Sequence, residues 1–312
     1  MPSADLSAEG IPREDGIVIN FSVIIFSSFI VIIAFLVRGL AGFGSGLLMV
    51  PSLLLLLDIM GFSEVMRLVV PTANILAVLS SILLLFTFRT REWIRKDVLL
   101  MMIAGAVVGS ILGVYVLASY SSDILKKFMG LFLCFYALRM LFTKKKDKKE
   151  ISNRWGLLAG FLGGSIGGMF GTGGPPVIIY LSRQIKDKRM FRATLLMYFL
   201  VVNAWQCATF CCVRLVNWDV IKFVLFLIPA FILGNIIGSV LHIKINQKLF
   251  NIAVASILLL SGIFLVLPDF TTDTVQSDTE LEAKANRASG LKWIFERELF
   301  VCQIKQNFWP LI

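Results

Sequence analysis

The chain has 312 residues, of which 57% are hydrophobic and 16% are charged. A soluble domain is about half apolar and about a quarter charged, so this balance excludes an ordinary soluble protein and predicts an integral membrane protein. The net charge of +10 does not indicate nucleic acid binding, because the basic residues of membrane proteins collect in cytoplasmic loops.

Segments without Asp, Glu, Lys or Arg recur along the chain and predict membrane helices, which need about 20 mostly apolar residues each. These segments are 17–37, 39–57, 68–88, 98–122, 155–182, 193–213, 223–241 and 249–268, and 128–142 is interrupted only by Arg139. We therefore expect an all-α integral membrane fold. The N-terminal segment (1–16) lacks the basic start of a signal peptide.

Positive residues concentrate in four of the connections between these segments. The four connections are 88–98, 142–155, 182–193 and 242–249. If these loops are cytoplasmic, segment 17–57 begins and ends on the outer side of the membrane. Segment 155–182 begins and ends on the cytoplasmic side. Both termini then lie outside. Charge alone leaves open whether the two segments are re-entrant or pairs of short crossings.

The chain also repeats, with an offset of 127 to 129 residues. The matched positions are Gly44-Ser45-Gly46 with Gly171-Thr172-Gly173, the GxxxGS segments that begin at Gly105 and Gly234, and Asn74 with Asn203. We predict two membrane repeats, 17–142 and 155–267, with a basic cytoplasmic linker (143–154) between them and a polar tail (268–312). Each repeat is a glycine-broken helical hairpin plus three transmembrane helices. Three crossings is an odd number, so the repeats are inverted, as in secondary transporters.

Two glycine clusters, at 39–46 and 163–174, break apolar segments. Pro175 and Pro176 follow the second cluster, and proline suits the first turn of a helix. We expect a turn that opens a short helix, whose free N–H groups form an anion site. Close packing through small residues is the alternative, and we favour it for the Gly105 and Gly234 segments.

We predict that the two turns bind an anion through amides and hydroxyls, with Arg38 adding charge. For Arg38, an arginine that reaches the interface is an equal alternative, and Asn74 and Asn203 either line the cavity or bond between helices. The predicted substrate-binding residues are Arg38, Gly44, Ser45, Gly46, Asn74, Gly171, Thr172, Gly173, Gly174, Pro175 and Asn203. Further polar candidates are Thr72, Gln206 and Asn235. No catalytic, metal-ligating or cofactor-binding pattern is visible, so we predict none.

Segments 42–56 (GFGSGLLMVPSLLLL) and 168–181 (GMFGTGGPPVIIYL) resemble the paired glycine–proline signatures of the sulfite exporter TauE/SafE family. Segments 67–76 and 191–200 are similar to its following helices, and the resemblance covers roughly residues 17–267. It implies a bacterial inner-membrane permease for sulfite, organosulfonates or similar small anions, without a cofactor. Ser45 stands where the family often has glycine.

Together, these features predict an exporter of a small anion that works by alternating access. An inside-negative potential contributes about 2.3 kcal/mol per charge per 100 mV and drives a monovalent anion outward. An anion channel, a non-transporting scaffold and a membrane enzyme that uses Arg38 are the alternatives. The expected partners are the anion and the lipid bilayer but not nucleic acid, and a homo-oligomer stays open.

Overall fold

A computed structural model describes residues 21–60, 62, 65–88, 93–142, 152, 154–240 and 247–267. These residues form ten α-helices and, among themselves, no strand. The predicted N-terminal segment (1–16), most of the basic linker and the polar tail lie outside the described residues. The all-α class that the sequence predicts is confirmed for the part of the chain that the structure describes.

The helices follow the predicted segments in chain order. They are α1 (Phe21–Ala41), α2 (Ser45–Ile59), α3 (Val65–Phe88), α4 (Lys96–Ser119), α5 (Ser122–Phe142), α6 (Arg154–Phe170), α7 (Gly174–Gln184), α8 (Lys188–Cys212), α9 (Trp218–Val240) and α10 (Gln247–Val266). Five of them, α1, α3, α4, α8 and α9, are long and apolar enough to cross a membrane.

The outer surface of the helices is strongly apolar. Phe29, Leu100 and Phe135 are each more than half exposed, together with many other large apolar side chains. A soluble monomer rarely shows such a continuous apolar surface, because water disfavours it. Lipid tails accept it, so this surface and the five long apolar helices indicate a multi-pass membrane protein.

Both predicted helix breaks are present. The first separates α1 from α2 and the second separates α6 from α7. Gly42 and Gly171 directly follow α1 and α6 and have positive φ angles of 82° and 66°, and Gly44 has one of 98°, a conformation that glycine adopts without a steric penalty. Pro175 and Pro176 lie in the first turn of α7, where a missing N–H costs nothing.

Glycines allow the long helices to approach closely. α4 packs along α6, and α1 packs along α9. A Cβ at Gly105 would lie 2.0 Å from the carbonyl oxygen of Leu157, and a Cβ at Gly234 would lie 2.5 Å from that of Ile32. No larger residue fits at these distances, so the Gly105 and Gly234 segments serve close packing, the interpretation that we favour from the sequence.

Candidate functional site

The two broken hairpins meet at their turns. A Cβ added to Gly46, in the first turn of α2, would lie 2.1 Å from the carbonyl oxygen of Gly171. α2 has 15 residues and α7 has 11, so at about 1.5 Å per residue they are about 22 and about 16 Å long. Neither helix alone crosses a hydrocarbon core of about 30 Å, but they meet near their N-terminal ends.

A cavity of about 30 Å³ lies where the turns meet. On this measure about 10–15 Å³ is enough for one water molecule, so the cavity has room for a small ion or for one or two waters. Its lining residues are Arg38, Gly44, Ser45, Gly46, Leu47, Ala77, Gly163, Gly167, Gly171, Thr172, Gly173, Gly174, Tyr198, Phe199, Val202, Asn203 and Gln206. None of these described lining residues is acidic.

The structure brings nine of the eleven predicted site residues around this cavity. The nine are Arg38, Gly44, Ser45, Gly46, Gly171, Thr172, Gly173, Gly174 and Asn203. Asn74 instead turns back on its own helix, where its Nδ2 donates to the carbonyl oxygen of Val70 at 3.3 Å. Pro175 opens α7 but does not line the cavity. A role for any of the eleven in substrate binding stays a prediction.

Arg38 is a central side chain of the cavity and is only 3% exposed. Its NH1 donates to Ser45 Oγ at 3.0 Å, and its NH2 donates to Ser81 Oγ at 2.7 Å and to the carbonyl oxygen of Ala77 at 3.3 Å. The guanidinium carbon lies 5.5 Å from the ring centroid of Phe199. Arg38 therefore holds α2, α3 and α8 around one point rather than reaching out to an interface.

The charge of Arg38 has no counter-charge in the described part of the chain. The ion pairs there join other residues, for example Lys126 with Asp58 and Arg95 with Asp97. The Nε of Arg38 is buried and has no hydrogen-bond partner. A buried charge without a partner is costly, and an intramembrane charge marks a functional site by default. An anion in the cavity would supply the missing counter-charge.

Three other lining residues carry buried polar atoms without a hydrogen-bond partner. They are Thr172 Oγ1, Tyr198 OH and Gln206 Oε1. Buried polar atoms are hydrogen-bonded in the great majority of cases, and exceptions call for an explanation. Four such atoms belong to lining residues of one cavity, counting the Nε of Arg38, and a polar ligand or ordered water there would pair with them.

The two short helices offer different numbers of backbone donors. No side chain caps either N-terminus, and the first amides of a helix have no partner within it. α2 brings the amides of Ser45, Gly46 and Leu47 to the cavity, whereas Pro175 and Pro176 have no N–H to donate in the first turn of α7. The positive end of the α2 dipole is therefore the richer anion donor.

The cavity lies near the midpoints of two helices that are long enough to span a membrane. Ala77 is near the middle of α3, and Val202 and Asn203 are near the middle of α8. Tyr198, Phe199 and Ser81 contribute to the site, although the sequence did not single them out. Gln206 lines the cavity as one of the further polar candidates, whereas Thr72 bonds to Leu68 of its own helix and Asn235 accepts from Ser80.

Comparison with known proteins identifies the family of this chain. The model of the sulfite exporter TauE/SafE family matches residues 27–265. A probable membrane transporter protein of Methanocaldococcus jannaschii is 28% identical over 276 residues, which cover 80% of this chain and 98% of that protein. No solved structure was found to match the chain. The chain is therefore a membrane transporter that belongs to the sulfite exporter TauE/SafE family.

Proposed function

We propose that this protein is a permease that exports a small anion, such as sulfite, an organosulfonate or a related sulfur oxyanion, across a bacterial inner membrane. One observation carries the proposal. The buried guanidinium of Arg38 has no carboxylate partner among the described residues and lies at a cavity lined by hydroxyls and by the N-terminus of α2. A small oxyanion matches these donors in charge and in hydrogen bonding.

The transporter would consist of two inverted repeats. α1 packs along α9, and their equivalents α6 and α4 pack along each other. α3 packs on its equivalent α8, and α5 packs on its equivalent α10. When a two-fold axis relates two similar halves, each contact between two helices is matched by a contact between their equivalents. Inverted repeats of this kind build many secondary transporters.

The two hairpins would enter the bilayer from opposite sides, with both termini outside and the basic loops in the cytoplasm. Placed end to end, α2 and α7 are about 38 Å long, which is close to the thickness of a bilayer with part of its headgroup region. Irregular backbone is tolerated at this depth only where it is buried in protein or lines a cavity. Alternating access would rock one half against the other around this cavity.

Export by the membrane potential fits the charges at the cavity. Arg38 is the one basic residue among the described lining residues, and none of them is a carboxylate. Cation and proton pathways through membranes usually use acidic side chains, and the described lining residues provide no carboxylate for a coupling cation. A monovalent anion needs no coupling cation to leave a cell that is negative inside.

Flux into and out of proteoliposomes tests the proposal. Sulfite, an organosulfonate, thiosulfate and a carboxylate of similar size are compared in vesicles with and without the protein. We expect saturable transport of at least one sulfur oxyanion and slower transport of the carboxylate. Unitary currents would identify an anion channel instead, and the absence of flux for all four anions would identify a scaffold that does not transport them.

A further inference from the structure

The unpartnered atoms of the residues that line the cavity are of three chemical kinds. The Nε–H of Arg38 can only donate a hydrogen bond, and the hydroxyls of Thr172 and Tyr198 can either donate or accept. The Oε1 of Gln206 can only accept. These four residues are each at most 3% exposed, so bulk water does not reach these atoms. A simple anion, which has only acceptors, satisfies the first three and leaves Gln206 Oε1 unpaired.

The orientation of the Gln206 amide follows from its contacts. Its Nε2 donates to the carbonyl oxygen of Gly164 at 3.2 Å, which identifies the nitrogen end and leaves the carbonyl oxygen without a partner. A Cβ at Gly167 would lie 2.8 Å from this Nε2, so the glycine in α6 makes room for the amide. The acceptor is therefore held in place by α6 and does not rotate freely.

The acceptor breaks the equivalence of the two halves. At the offset of 129 residues that relates Asn74 to Asn203, Gln206 corresponds to Ala77, and Gly167 corresponds to Arg38. The first half thus has Arg38 where the second half has Gly167. It has Ala77 where the second half has Gln206. Arg38 thus adds a positive charge to the lining of the cavity, and Gln206 adds an amide.

We propose that Gln206 is a specificity-determining residue, and that its Oε1 selects anions that carry a hydrogen-bond donor next to the anionic group. The inference rests on the proposed function. The protonated monoanion of sulfite is one such ligand, and an amino- or hydroxyl-substituted oxyanion is another. A dianion such as fully deprotonated sulfite has no donor for Gln206, and its second charge has no second cation among the described lining residues.

Sulfamate and methanesulfonate provide a matched pair of probes. Both are monoanions at neutral pH with the same sulfonate group, and they differ in one substituent, which is NH₂ in sulfamate and CH₃ in methanesulfonate. Leaving a buried acceptor unpaired is costly. We therefore expect sulfamate to bind to the wild-type protein at least about ten times more tightly than methanesulfonate. Binding is measured by titrated thermal stabilisation of the purified full chain at constant pH and ionic strength.

Variants test whether Gln206 causes the preference for sulfamate over methanesulfonate. Gln206→Met keeps the length of the side chain and removes the acceptor, so we expect the two probes to bind equally well to this variant. Thr209→Val is the matched control on the same helix. Thr209 is half-buried, its hydroxyl donates to the carbonyl oxygen of Trp205, and it does not line the cavity, so we expect this variant to keep the wild-type preference.

The outcomes separate the inference from the proposed function. Equal binding of sulfamate and methanesulfonate to the wild-type protein would overturn the role of Gln206 and leave the anion site in place. A preference that persists in Gln206→Met would also overturn it. If neither probe nor sulfite binds, the anion site itself is contradicted. The wild-type comparison decides the question even if Gln206→Met does not fold.

Discussion

Arg38 differs from Lys126, the other buried charged residue of the described helices, in how its charge is balanced. Lys126 is buried as well, but it pairs with Asp58 and Asp123. Arg38 has only neutral partners, the hydroxyls of Ser45 and Ser81 and one carbonyl oxygen. Neutral groups orient a guanidinium without neutralising it. Such an arrangement leaves the charge available for an anionic ligand.

The balance of forces at Arg38 predicts an unusual pattern for Arg38→Met. Replacing a buried unpaired charge with an apolar side chain is often neutral or stabilising, so we expect the melting temperature without an anion to stay the same or to rise. Stabilisation by sulfite and sulfite flux should both be lost. Arg38→Lys keeps the charge but cannot bridge Ser45 and Ser81 at once, and we expect binding to weaken about tenfold, or about 1.4 kcal/mol.

Arg139→Lys is the matched control for these variants, because α5 does not contribute to the cavity and the charge is conserved. We expect wild-type flux and wild-type stabilisation by sulfite. A large drop in the melting temperature of Arg38→Met without an anion would show that Arg38 is a structural residue. Full flux in Arg38→Met would show that the anion does not use this charge.

At the scale of single elements, the hairpin turns depend on direct backbone contact. Gly46 contacts Gly171 of the other hairpin, and Gly173 contacts Gly163 of its own. Gly42 and Gly171, which directly follow α1 and α6, reverse the chain with positive φ angles. The contact between the turns brings the N-terminus of α2 to the cavity, and any side chain at Gly46 would separate the two hairpins.

We expect Gly46→Leu and Gly173→Leu to abolish flux while the protein still inserts into the membrane. In both variants the new Cβ would lie 2.1 Å from a carbonyl oxygen. The two turns must therefore move apart in Gly46→Leu, and the start of α7 must move away from α6 in Gly173→Leu, whereas the hydrophobic helices that direct insertion are unchanged. Flux is measured in proteoliposomes, and insertion is measured by membrane extraction and by the orientation of the reconstituted protein.

Gly174→Ala is the matched control for packing. Its Cβ would meet only side chains, the nearest at 3.4 Å, which is an ordinary contact distance. We expect the thermal stability of Gly174→Ala to equal that of the wild type and the stability of Gly46→Leu to be lower. Full flux in both leucine variants would contradict a transport site at the turns.

At the scale of the whole molecule, the proposed membrane orientation and transport direction both rest on charge. Lys and Arg concentrate in connections that would all lie on one side, and such loops stay in the cytoplasm. The cavity lies near the middle of α3 and α8, between the two hairpins. A single cationic residue at that depth fits a monovalent anion, which moves with the membrane potential.

An imposed potential tests this direction. For vesicles with the protein oriented as in a cell, we expect sulfite efflux to accelerate when the interior is made negative and to slow when the potential is reversed, since about 2.3 kcal/mol per 100 mV acts on each charge. Vesicles without protein, and vesicles with Arg38→Met, are the controls. Efflux that does not respond to the potential would instead indicate electroneutral exchange or coupling to a cation.

The sequence alone determines the membrane class, the two helix breaks and nine residues of the cavity. These features are local in origin, because uninterrupted apolar length predicts a span and glycine followed by proline predicts a turn that opens a helix. The repetition of one glycine cluster in the second half also identifies the two turns as equivalent. None of these inferences requires knowledge of which helices touch.

Tertiary structure alone decides which side of each helix faces the cavity. Tyr198, Phe199 and Gln206 face it from α8, while Asn74 bonds within α3 although it matches Asn203 in the repeat. In lipid, both sides of a spanning helix are apolar, so the hydrophobic pattern carries little information about rotation. The rotation is set by close backbone packing, such as that of Gly105 on Leu157, and such contacts join residues distant in the chain.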